Sequence, residues 1–152
     1  LIMCISNNFI GNTFNSNIRR KDTSLMEIGS SPSLMPELSL LENIKYFLFN
    51  DNINEKMITN VLNKYELESF KSDLVRDFSS GMVKRSEIAI ADLKNPKVLC
   101  IDEPRVYLDE NGVDLLLNLI KKREKEGSTS ILSSQESIGV FTSIERSFNL
   151  DD

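Results

Sequence analysis

Three stretches in a fixed order decide how this chain folds. They are Phe78-Ser79-Ser80-Gly81-Met82-Val83-Lys84-Arg85, then Val98-Leu99-Cys100-Ile101-Asp102-Glu103-Pro104, then Tyr107-Leu108-Asp109. Ser-Ser-Gly at the start of a helix offers hydroxyls and backbone N–H groups at the positive end of the helix dipole, which suits an anion. The apolar run Val98–Ile101 reads as a strand buried on both faces of a parallel sheet. The acids that end it then fall at the carboxyl edge of that sheet, where open α/β folds bind ligands. There Asp102 can hold Mg²⁺, and Glu103 can orient or deprotonate a water. Taken singly, the first stretch is an ordinary helix cap and the second an ordinary strand end; their order and distance argue for a site.

Downstream, the helix that opens near Ser80 runs to about Leu93 and stops before Asn95-Pro96, because a residue preceding proline disfavours the α region. Glu110 to Glu126 is predicted helical, with Val113, Leu116, Leu117 and Ile120 inward and Gly127 closing it. Ser128 to Ser133 reads as a strand, followed by a helix over 138–146 and a strand at 148–150. Upstream, Glu27-Ile28-Gly29 reads as a short strand leading into a turn over Ser30 to Pro36. Ser39-x-x-Glu42 is a capping box, and Asn52-x-x-Glu55 repeats the signal. The apolar periods that follow predict amphipathic helices over 39–50 and 53–66. Strand alternating with helix defines an α/β fold.

Composition narrows the chemistry. With 152 residues the chain fits one domain. It contains no histidine, which excludes a Ser-His-Asp triad, a His-bearing zinc site and an imidazole acid/base. Cys4 and Cys100 form no CxxC pair and read as buried thiols. The balance of 18 basic to 23 acidic residues, a net charge of −5, argues against nucleic acid as a partner, since such binding needs a basic footprint. No run approaches 18 apolar residues, so no membrane-spanning helix is expected.

The combined pattern resembles the ATP-binding cassette (ABC) ATPases. Their signature LSGGQ-x-x-R, then a helix, a proline, four apolar residues, D-E-P and a short loop to L-D, is matched without a gap from Phe78 to Asp109. Leu34 to Ile44 is similar to the family segment L-x-P-x-L-T-V-x-E-N-L. Ser130 to Glu136 is similar to its switch segment, and Leu1–Ile5 with Gly11-Asn12-Thr13 to the stretch after its phosphate-binding loop. The resemblance implies a P-loop NTPase-like cassette of α/β class, incomplete and carrying a helical subdomain. On this reading, residues 1–38 are a remnant of the ATP-binding core and Q-loop region. Residues 39–95 are the helical subdomain and signature helix, and 96–152 the core with Walker B, D-loop and switch region.

The resemblance also assigns roles. Ser79, Ser80, Gly81 and Met82 occupy the signature positions, of which Ser79 and Gly81 match residues contacting ATP held on an opposite subunit. Asp102 matches the Mg²⁺-holding acid, Glu103 the general base and Asp109 the D-loop aspartate. Ser30 stands at the Q-loop glutamine and Gln135 at the switch histidine. ATP and Mg²⁺ are the implied cofactors; a second ABC subunit and hydrophobic permease subunits are the implied partners. The implied location is peripheral on an inner membrane, on the bacterial cytoplasmic or mitochondrial matrix side.

Departures from the pattern accompany the match. No GxxxxGK[ST] occurs in the sequence, so the chain is expected to be a cassette entered part-way, or a degenerate one that binds without turnover. Ser80, Met82, Ser30 and Gln135 each replace a family residue, and losing one transition-state contact costs roughly 10²–10³ in rate. Within the family, Ile28-Gly29 through Phe47 is similar to the haem-exporter ATPase of cytochrome c maturation, and an ordinary small ABC subunit is the alternative.

Overall fold

The structure, a computed structural model, describes residues 24–134. Three strands, β1 (Leu25–Ile28), β2 (Val98–Asp102) and β3 (Thr129–Ser133), form a parallel sheet in the order β1-β2-β3. Ile28 lies opposite Ile101, and Ile101 opposite Leu132, so the three strands end side by side. β2 is central, and its Leu99, Cys100 and Ile101 are buried. That is the double-sided burial expected of its apolar run. Cys100 is a buried thiol, as expected.

Between β1 and β2 come α1 (Leu40–Phe47), α2 (Glu55–Lys64) and α3 (Ser80–Lys94); α4 (Glu110–Lys125) joins β2 to β3. Ser39 and Glu42 form the expected capping box: the Ser39 side chain accepts from the Glu42 amide, and the Ser39 amide donates to Glu42 Oε2 at 2.8 Å. α1 stops at Phe47 instead of reaching residue 50. The cap of α2 is Asn54, which accepts from the Met57 amide at 3.0 Å, and not Asn52. Backbone bonds from Asp51 to Leu48 and from Ile53 to Asp51 turn the chain there, which delays helix entry by two residues. α2 accordingly ends at Lys64, and Glu66 adopts a left-handed φ of 59°.

Among the described residues, α3 is the most buried helix. Every residue from Ser86 to Leu93 is buried, as in a helix packed on all sides, and it touches α1, α2, α4 and β1. One apolar cluster runs through both the helical and the sheet portions, including Leu40, Ile44, Leu62, Ile88, Leu99 and Leu116. The helix ends where the Asn95-Pro96 signal places it, although Asn95 closes it in the left-handed region (φ 43°, ψ 57°).

α4 turns inward the face its periodicity suggests: Val113 and Leu116 are buried, and the half-buried Leu117 and Ile120 pack against the core. Leu119 and, unexpectedly, the fully buried Arg123 complete the face. Arg123 is tolerated because its guanidinium donates to Ser130 Oγ, Thr129 O and Asn95 Oδ1. Gly127, at φ 72°, is the residue past the helix end that needs positive φ. Among the described residues no helix is long and apolar enough to cross a membrane. The expectations for 138–146, 148–150 and residues 1–13 lie outside the described residues.

Candidate functional site

Because the strands end together, the chain leaves the sheet at one edge in three places: Gly29 after β1, Glu103 after β2 and Ser134 after β3. Both acids of the Asp-Glu-Pro motif are therefore set against the end of β3. Ser133 Oγ donates to Asp102 Oδ1 at 2.6 Å, and Ser134 Oγ donates to Glu103 Oε2 at 2.9 Å. The Glu103 amide donates to Ser133 O at 2.9 Å. Glu103 has a φ of 46°, a left-handed conformation that costs a non-glycine residue roughly 1–2 kcal/mol. Asp102 and Glu103 are each half-buried.

The start of α3 forms the second part. Ser79 is its N-cap, in extended conformation, accepting from the Met82 amide at 3.2 Å. Ser79 and Ser80 are exposed. Gly81 lies beneath the loop that follows β2: a Cβ there would stand 3.0 Å from Tyr107 O, so a side chain would have to displace backbone. The Met82 side chain packs against the core together with Phe78 and Val83. Asp109 caps α4 by accepting from the Gly112 amide at 2.8 Å. It also accepts two bonds of 2.7 Å from Arg85, which reaches Glu66 on its other side at 2.7 Å. Arg85 and the Gly112 amide hold the Asp109 carboxyl below the ordinary aspartate range.

Two buried charges join these parts. Lys84, on the second turn of α3, donates to Gly29 O at 3.1 Å and to Asp102 O at 3.4 Å. Glu87 accepts from both the Ser33 amide (2.7 Å) and Ser33 Oγ (2.9 Å). They are 4% and 2% exposed, respectively. Burial pushes Lys84 below its ordinary range against the pull of Glu87, Asp102 and Glu103, and pushes Glu87 above its own. Neither was singled out from sequence. The available signal was two charges, three apart, on a turn leading into Ile88-Ala89-Ile90-Ala91.

The structure thus brings Asp102 and Glu103 to one sheet edge and sets Gly81 and Asp109 against the loop that follows. Ser30 is exposed, next to the Gly29 carbonyl that Lys84 binds. Gln135 lies outside the described residues. The donor set suits a magnesium–phosphate ligand. Among the described residues no group of three or more metal-binding side chains occurs, and Mg²⁺ is commonly held by one or two carboxylates with substrate phosphates supplying the rest. Asp102 would hold the ion, which screens phosphate charge when bound. The exposed start of α3, closed behind by Tyr107, suits a phosphate oxygen.

A parallel α/β sheet with acids at its carboxyl edge, and a Ser-Ser-Gly helix start packed under the loop that follows them, fits the nucleotide-binding cassette class. The family model described as "ABC transporter" matches residues 7–106, and the chain belongs to that family as an ATP-binding domain. The chain is 34% identical over 126 residues to the lantibiotic transport ATP-binding protein SrtF of Streptococcus pyogenes, covering 83% of this chain and 54% of that protein. To the cytochrome c biogenesis ATP-binding export protein CcmA of Histophilus somni it is 28% identical over 126 residues, covering 82% and 58%. A dimeric, post-hydrolysis structure of the ATP-binding cassette MJ0796 bound to ADP and Pi superposes with a TM-score of 0.64 at 25% identity, covering 75% of this chain and 53% of that one. The chain spans about half the length of the relatives it matches.

Proposed function

We propose that this chain is part of the ATP-binding subunit of an ABC transporter, peripheral to a membrane on its cytoplasmic face. It pairs with a second such subunit and with hydrophobic permease subunits. The observation that carries this reading is the sheet edge where Asp102 and Glu103 meet Ser133 and Ser134. Asp102 would hold Mg²⁺ beside the phosphates, and Glu103 would take the proton of the attacking water. Ser79 and Gly81, at the start of α3, are offered to ATP on the partner subunit. The helical segment over α1 and α2, with Tyr46 and Phe49 64% and 84% exposed, faces the permease. For cargo, the segment Ile28 to Phe47 and the similarity to CcmA support haem export for cytochrome c maturation.

The test uses the full-length protein with its Glu103→Gln form. ATP hydrolysis at saturating Mg-ATP should fall roughly 10²–10⁴-fold while ATP binding persists. Equal rates in the two proteins would remove Glu103 as the base. A second reading, a cassette that binds a competent partner without turnover, is favoured by Ser80, Met82 and Ser30 standing where the family keeps glycine and glutamine. It predicts that the wild-type protein binds its partner subunit yet hydrolyses no faster than Glu103→Gln.

A further inference from the structure

Lys84 sits where a charged side chain is least expected. It is 4% exposed, and burying an ammonium costs several kcal/mol unless it is paired and hydrogen-bonded. Its two acceptors are peptide carbonyls, and they belong to particular peptides. Gly29 O is on the bond leading to Ser30, and Asp102 O is on the bond leading to Glu103. One ammonium therefore grips the backbone immediately before each of two site residues, which lie on different strands.

The Asp102–Glu103 peptide is held from both sides. Lys84 binds its carbonyl, and its N–H donates to Ser133 O. Such double restraint is what a left-handed glutamate needs, since a sparsely populated backbone conformation persists only where its surroundings over-determine it. One turn along α3, Glu87 takes both the amide and the hydroxyl of Ser33, which extends the grip to the far end of the loop after β1.

We propose that Lys84, seconded by Glu87, is a positioning residue for the acid site. It locks the loop Gly29–Ser33 and the Asp102–Glu103 peptide into one unit, so that the loop cannot shift without moving the carboxylate of Glu103. The role of Glu103 in ATP hydrolysis is taken from the function proposed above; the mechanical link is independent of it.

The experiment compares wild type, Lys84→Met and Lys84→Arg in the full-length protein by amide hydrogen exchange and by steady-state ATPase kinetics. Lys84→Met should speed exchange at both the Ser33 and the Glu103 amides by about tenfold or more while α4 stays within about twofold, and Lys84→Arg should restore both. kcat should fall by about tenfold or more with KM for ATP unchanged, because misplacement rather than lost binding is the defect. A uniform rise in exchange along the chain, a rise at only one of the two amides, or an unchanged kcat in an enzyme that depends on Glu103 would overturn the proposal. Should Lys84→Met fail to fold, Glu87→Gln, which keeps the volume and removes the charge, is judged by the same outcomes. If Glu103→Gln hydrolyses as fast as wild type, the functional reading falls, and the exchange data alone decide the link.

Discussion

The two ends of α3 both bury charge, and they bury it to different ends. Near its C-terminus, Asp92 accepts from Lys64 at 2.7 Å, Lys122 at 2.9 Å and the Tyr65 hydroxyl at 3.1 Å. All its partners are side chains, on or at the end of the flanking helices α2 and α4, so the cluster ties helix to helix. Near its N-terminus, Lys84 and Glu87 bond to backbone and to a loop serine. Those bonds set the course of loops at the sheet edge. At Asp92 buried charge meets side chains and holds helix to helix; at Lys84 it meets peptide groups and holds the sheet edge.

This contrast can be broken most decisively at Asp92. Its carboxylate is 3% exposed, but Lys64 and Lys122 are 36% and 47% exposed, so part of the attraction is screened. Asp92→Ala should cost about 2–3 kcal/mol, read as a melting temperature lower by roughly 5–10 °C, with the sheet-edge amides no more affected than the rest. A loss confined to those amides would erase the distinction between the two ends.

Acid titration sharpens the same point. Burial alone would raise the Asp92 carboxyl, but its bonds with Lys64 and Lys122 outweigh that and bring it below the ordinary aspartate range. A carboxylate with a depressed folded-state value contributes stability that is complete above the unfolded aspartate range and is lost as pH falls through the folded value. Chemical denaturation should therefore show wild type losing more stability than Asp92→Ala below about pH 4. Parallel curves would assign the loss to other carboxylates. The smallest effect is expected at Arg85, which joins the exposed Asp109 and Glu66. Arg85→Ala should shift the melting temperature by less than half the Asp92→Ala shift while speeding exchange in the 107–109 loop. A larger shift would make this exposed clasp structural.

Much of the frame was legible beforehand because its signals are local. Ser39-x-x-Glu42 states both halves of a capping box within one turn, and Val98–Ile101 is apolar enough to leave only a buried strand. Asn52-x-x-Glu55 misled because Asn54 is an equally good cap, and the choice depends on the turn that Leu48, Asp51 and Ile53 make. On α4 the apolar period points to the core correctly, but Arg123 reads as solvent face until Ser130, Thr129 and Asn95 are seen around it.

The same division runs through the site. By itself the sequence determined the class of fold, the family and the place of two adjacent acids at a strand end, because those rest on residue types at short, fixed spacings. The tertiary structure decided what holds them. Ser33 lies 54 positions from Glu87, and Gly29 lies 55 from Lys84, and no local pattern encodes a partner so distant. A lysine reads as surface until the fold removes its water, and it must then find carbonyls.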